Sequence, residues 1–159
     1  QQEEFLYLCL VQQLDYKAIS VKLDVPRYTL SIWYDELKEE RMKIAAIRNL
    51  WTRKKIEIPF NEFYEWYLSQ EKKCFYCGIT EHKIKQLIES GNLKTKRIAT
   101  RGKKLELDRK EPDSSYDDLS NLVFACYWCN NAKTDTFTSE EFMEVGKAFK
   151  NIWTKRLEK

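Results

Sequence analysis

Two Cys-x-x-Cys pairs, Cys74/Cys77 and Cys126/Cys129, constrain this chain more than any other feature of its sequence. A short turn of this kind brings two thiols to one side, and two such turns supply the four ligands of a tetrahedral zinc site. The N-terminus has no basic region followed by an apolar core, so no secretory leader is expected and the compartment is read as cytoplasmic. In a reducing compartment paired cysteines favour a metal, Zn²⁺, over a disulfide or redox pair, which stands as the alternative. Residues 78–125 lie between the pairs, well beyond the roughly 15–20 residues of a zinc ribbon, so the insertion carries structure of its own. The fifth cysteine, Cys9, lies in the apolar run 5–11 and suits a small core position without function.

The second pair closes the stretch LELDRKEPDSSYDDLSNLVFACYWCNNAK, residues 105–133. Leu105 and Leu107 alternate with Glu106 and Asp108, the period of a strand. Residues 122–125 form a short apolar run that fits a second, more buried strand, and residues 127–133 can start a helix. A hairpin on one helix is too small to hold itself together and needs a staple.

These residues resemble the HNH, or ββα-metal, endonuclease family. In that family a strand ends in Asp-His, an Asn follows in the loop, and an Asn or His comes directly after the last Cys. Here the matching residues are Asp108-Arg109, Asn121 and Asn130. The resemblance also takes in residues 74–79, Arg101-Gly102, Tyr116, residues 126–133 and the tail near Trp153, about residues 49–155 in all. It implies an α+β, mostly helical fold with a ββα-metal core stapled by a four-cysteine zinc site, and a metal-dependent DNA endonuclease. Asp108, a hard carboxylate, and Asn130, an amide oxygen, would hold Mg²⁺, with Mn²⁺ as a substitute. The four thiolates would leave zinc no open position, which makes it structural. Asn121 would tie the loop backbone.

Arg109 stands where the family has its general-base His. A guanidinium stays protonated and cannot be a base, but it can grip the scissile phosphate with two N–H groups. The nucleophile must then be aimed or activated elsewhere. A restriction enzyme of the family that also has Asp-Arg takes a tyrosine from the helix before the first Cys pair. Residues 63–67 match that helix and make Tyr67 the candidate, as base, water-orienting group or nucleophile. A base role needs a pKa lowered from about 10 by Arg109 and the metal. Asn49 matches a site asparagine of the same enzyme through Asn-Leu. His82 is read as a surface residue.

Charge distribution says more than the net charge of +3. Lys94, Lys96, Arg97, Arg101, Lys103 and Lys104 enter the first strand with no acid among them, which suits a phosphate backbone or, alternatively, a solvated loop. Residues 3–13 read as an amphipathic helix. Asp15 caps a second helix over 16–23, residues 24–26 turn, and a third runs over 27–37. This layout resembles helix-turn-helix DNA binders, with Ala18, Ile19, Leu23, Val25, Leu30 and Trp33 as packing positions. The resemblance aims Arg27, Tyr28, Thr29, Ser31 and Tyr34 at the major groove; a dimerisation module is the alternative. Leu37, Ile44, Ile47, Leu50 and Trp51 stripe a helix read as a linker. Further helices are expected over 60–70, over 83–88 behind the cap Thr80, and from the capping box at Thr138 to Leu157, with Phe142, Val145, Phe149, Ile152 and Trp153 packed on the core.

The 159 residues therefore divide into a helix-turn-helix-like module (1–40), a linker helix (41–59) and the ββα-metal domain (60–159). No run of about 18 apolar residues suggests a membrane span. The first reading is a sequence-specific, metal-dependent DNA endonuclease of restriction or homing type. Cutting both strands of double-stranded DNA at a palindromic site calls for a homodimer. Two other readings stand beside it: a non-catalytic, zinc-stapled DNA-binding regulator, favoured by Arg109, and a nuclease acting on RNA or on nucleic-acid structure.

Overall fold

The computed structural model describes residues 1–96 and 101–159 and divides the chain into two compact units, Gln1–Gln70 and Glu71–Lys159. The boundary falls eleven residues beyond the expected 59/60 division, so the helix starting at Phe60 belongs to the first unit.

The first unit is helical throughout. α1 (Gln2–Leu6) widens into a π turn over Tyr7–Val11 instead of continuing as one α-helix. Asp15 accepts a hydrogen bond from the Ala18 amide at 2.8 Å and opens α2 (Tyr16–Leu23). Asp24 ends it in the left-handed region at φ 52°, in place of the usual glycine. Pro26 precedes α3 (Arg27–Glu36), and Leu37 separates α3 from α4 (Lys38–Arg53). α5 spans Phe60–Ser69 after Pro59. Ile19, Leu23, Val25 and Leu30 are buried as expected, whereas Ala18 is exposed, because it lies on the solvent side of α2 with Lys17, Val21 and Lys22.

α4 is more than a linker. Ile44 and Ile47 are buried, and the helix packs on α5 and on the π turn. The Trp51 indole N–H donates to the Ile58 carbonyl at 2.9 Å, and its ring meets Phe60 edge-on at 5.6 Å. The Arg48 guanidinium donates to the Leu10 carbonyl and lies over the Phe60 ring.

The second unit is built on the two cysteine turns. Cys74 N–H donates to the Ile79 carbonyl at 2.9 Å, and Gly78 supplies the positive φ of 72° that lets Cys77 fold back. α6 (Glu81–Glu89) follows, capped by the Thr80 hydroxyl. β1 (Glu106–Arg109) and β2 (Leu122–Ala125) pair antiparallel with Leu107 opposite Phe124 and Asp108 opposite Val123. The Phe75 amide donates to Phe124 O at 2.8 Å and docks the first cysteine turn on β2. β2 runs through Cys126 directly into α7 (Tyr127–Lys133). α8 (Ser139–Leu157) opens with the capping box expected at Thr138 and Glu141 and packs on α6 and α7.

The buried face of α8 is Phe142, Gly146 and Trp153, with Phe149 packed beside them. Val145 and Ile152, expected in the core, are each 43% exposed, because the 3.6-residue period turns them away from that face. Gly146 lies where α8 crosses Tyr76: a Cβ there would sit 2.6 Å from the Tyr76 carbonyl oxygen. Among the described residues no helix is long and apolar enough to cross a membrane. Gly146→Ala is expected to cost about 1–3 kcal/mol through overpacking, read as a lower midpoint in urea denaturation.

Candidate functional site

The sulfurs of Cys74, Cys77, Cys126 and Cys129 lie within 4.8 Å of one another, and all four residues are buried. Cys77 and Cys126 are 3.7 Å apart, sulfur to sulfur. That is far beyond the S–S bond of about 2.05 Å. It matches the edge, about 3.8 Å, of a tetrahedron whose corners lie about 2.3 Å from a zinc ion. Hydrogen bonds from Cys126, Cys129 and Cys77 hold the Cys74 thiol far below its usual pKa. Those to Cys126, Cys74 and Cys77 push Cys129 far above it. Four thiolates cannot share one apolar pocket without a cation, and a soft divalent ion such as zinc is the group this donor set fits. Local structure delivers the ligands: the Cys74–Gly78 turn presents one pair, and the first turn of α7 presents the other.

Beside this cluster, β1 and α7 face each other. Glu106 and Asp108, two residues apart, project to one face of β1. Asn130 and Lys133, three apart, project from one side of α7. The Asn130 Nδ2 donates to Glu106 Oε2 at 2.6 Å, and Lys133 Nζ lies 3.5 Å from Asp108 Oδ2. The two residues expected to hold Mg²⁺ thus lie on facing elements, and both offer hard oxygens that fit such an ion. Asp108 is 7% exposed and also accepts from the Tyr76 hydroxyl at 2.7 Å. Burial, then the hydrogen bond to Asp108, raises the Tyr76 pKa well above its usual value, so the phenol stays a donor. Lys133 is fully buried, and its ammonium also donates to the Arg109 carbonyl at 2.8 Å.

Arg109 reaches the hairpin loop. Its Nη1 donates to the Ser114 carbonyl at 3.0 Å, and its guanidinium lies 4.7 Å from the centre of the Tyr116 ring. Asn121 is buried and closes the loop: its Oδ1 accepts from the Glu111 amide at 2.8 Å and its Nδ2 donates to the Glu111 carbonyl at 3.1 Å. Arg101 forms a two-pronged ion pair with Glu106 at 3.0 and 2.8 Å. Its guanidinium is therefore committed within the protein, unlike the exposed Lys103 and Lys104. Arg97 lies outside the described residues.

In the first unit, Arg27, Tyr28 and Ser31 are exposed on α3, while Thr29 and Tyr34 are half-buried. Tyr67 is half-buried on α5, its ring 6.2 Å from that of Phe63, and Asn49 is exposed on α4. His82 is exposed on α6. Tyr76, Glu106 and Lys133, which the structure brings against Asp108 and Asn130, are not among the residues the sequence singles out. Glu106 was visible as the residue two before Asp108, and Lys133 as the residue three after Asn130. Nothing local marked Tyr76, which meets Asp108 across 32 positions of sequence.

A two-stranded hairpin leading through a cysteine into a helix, with four sulfurs gathered at that junction, is an HNH-like fold. Among solved structures, the rare-cutting HNH restriction endonuclease PacI is similar, with a TM-score of 0.52 and 26% identity over 72% of this chain and 79% of that chain. No family model and no curated relative matches the chain. The likeness supports the HNH-like fold.

Purified protein is expected to carry a single zinc ion per chain, and Cys129→Ser to lose it, as read by metal analysis. Lys133→Met removes the cation beside a buried carboxylate. It should cost about 3 kcal/mol, measured by urea denaturation.

Proposed function

We propose that the protein is a sequence-specific, metal-dependent DNA endonuclease. The observation that carries this reading is that β1 and α7, which carry Asp108 and Asn130, face each other through the Glu106–Asn130 and Asp108–Lys133 contacts, beside a sulfur cluster in a chain similar to PacI. Phosphodiester hydrolysis needs charge stabilised on the leaving oxygen, an aligned nucleophile and a gripped phosphate. Mg²⁺ bound by Asp108 and Asn130 would supply the first. Arg109, always charged, grips a phosphate oxygen with the N–H groups not given to Ser114. Tyr67 is the group assigned to the nucleophile. Asn121 holds the loop from which Arg109 takes its orientation.

The α2–turn–α3 segment contributes DNA contacts through Arg27, Tyr28, Thr29, Ser31 and Tyr34, and Lys103 and Lys104 add phosphate contacts. A homodimer on a palindromic site accounts for cutting both strands.

Incubation of long double-stranded DNA with purified protein and Mg²⁺ is expected to give discrete fragments. Asp108→Ala should abolish cleavage, by a factor of about 10³ or more for a lost metal ligand, while a gel shift stays within a few-fold of wild type. Full cleavage by Asp108→Ala removes that residue as a ligand. A retained sequence-specific shift without cleavage in any divalent metal favours the regulator, the reading that Arg109 at the base position supports.

A further inference from the structure

Each of the two residues assigned to the catalytic metal has one polar end already occupied. Asp108 Oδ2 accepts from the Tyr76 hydroxyl at 2.7 Å, with Lys133 Nζ at 3.5 Å. Among the described residues no side-chain hydrogen bond reaches Asp108 Oδ1 or Asn130 Oδ1. The Asn130 Nδ2 is taken by Glu106 Oε2 at 2.6 Å. A carboxylate has acceptors alone, so it selects the NH₂ end of the amide and turns the oxygen the other way. Glu106 is itself fixed by the two N–H groups of Arg101.

The holders are rigid. Tyr76 lies edge-on to Phe142 at 5.2 Å and to Phe75 at 5.3 Å. Gly146 presses on its backbone, where a Cβ would meet the carbonyl carbon at 2.9 Å. The phenol therefore has little freedom to leave Asp108. The Arg101 guanidinium lies 4.9 Å from the centre of the Tyr127 ring, at the start of the helix that carries Asn130.

We propose that Tyr76 and Glu106 are positioning residues, one for each metal-binding side chain, and that they decide which oxygen of Asp108 and of Asn130 faces the ion. The inference rests on the nuclease reading above. Tyr76 does this from inside the first Cys pair, so the zinc turn sets the carboxylate directly. Glu106 does it from the same strand face as Asp108. An Asn130 free to rotate would offer N–H donors to a cation half of the time, which repels it.

The test is Mn²⁺ binding to the zinc-loaded full chain, followed by electron paramagnetic resonance without DNA, with cleavage against Mn²⁺ concentration as a second readout. Tyr76→Phe keeps the ring and loses the hydroxyl. It should weaken Mn²⁺ about 10-fold or more, in the range of lost supporting contacts at metal sites. Glu106→Leu should weaken it similarly, whereas Glu106→Gln, whose amide oxygen still accepts from Asn130, should recover most of the affinity. Equal loss in Glu106→Gln and Glu106→Leu would make Glu106 a direct ligand and overturn its positioning role. Asp108→Ala separates the two levels. If it binds Mn²⁺ as wild type does, the metal site itself is wrong. If it loses the ion while Tyr76→Phe and Glu106→Leu hold it as tightly as wild type, the positioning inference alone fails. Zinc content and melting temperature, expected to be unchanged, identify any variant that has merely misfolded. The Tyr76 and Glu106 arms lie on separate elements, so each decides its half.

Discussion

Four sulfurs confined within 4.8 Å are the constraint on which the rest of the second unit depends. One pair belongs to a turn tied to the hairpin by the Phe75–Phe124 backbone bond and the Tyr76–Asp108 hydrogen bond. The other belongs to the point where β2 becomes α7. Joining them fixes the first turn, β2 and α7 relative to one another, and β1 follows through its ladder with β2. A two-stranded hairpin is marginal on its own and needs helices or a staple to hold such an arrangement. A metal held by the four sulfurs would add stabilisation, and such a contribution to folding is large where the site is absent from the unfolded chain.

Electrostatics then decides how polar groups survive beside that cluster. Asp108 and Lys133 are both buried, and either alone would be an uncompensated charge in a poorly solvated place. Their pairing is completed by neutral partners: Tyr76 donates to the carboxylate, and the Arg109 carbonyl accepts from the ammonium. The backbone of Arg109 is therefore held by the same lysine that faces the carboxylate. Arg101 and Glu106 repeat the device at a more exposed position.

Much of the local structure was legible in the sequence, because caps and periodicities are local. Asp15, Thr80 and Thr138 open helices where side-chain chemistry says they should. The two strands flank the loop closed by Asn121, displaced by one residue at β1. The cysteine pairs announced their own convergence. What failed had a physical reason in each case. The π turn at Tyr7–Val11 inserts a residue into a pattern that reads as plain amphipathic helix. Val145 and Ile152 looked like core by hydrophobicity, yet α8 buries a glycine in order to approach Tyr76. Arg101 read as a free cation, while its carboxylate partner lay five residues on, outside the acid-free run that drew attention. The partners of Asp108 and Asn130 were hidden for a simpler reason: hydrogen bonds across tens of residues leave no periodic trace.

The long separation between the cysteine pairs has a kinetic consequence. The bonds that shape the second unit join residues 49 apart at Cys77 and Cys126, 32 apart at Tyr76 and Asp108, and 24 apart at Lys133 and Arg109. Closing loops of that length costs entropy before any contact rewards it, and chains dominated by distant pairings reach their native state slowly. Helices form on local signals in about a microsecond or less, whereas hairpins take roughly 1–10 μs. The cost of lengthening the intervening loop grows only logarithmically, about 0.6 kcal/mol per doubling. This architecture therefore tolerates insertions between its cysteines far better than it tolerates haste in assembling them.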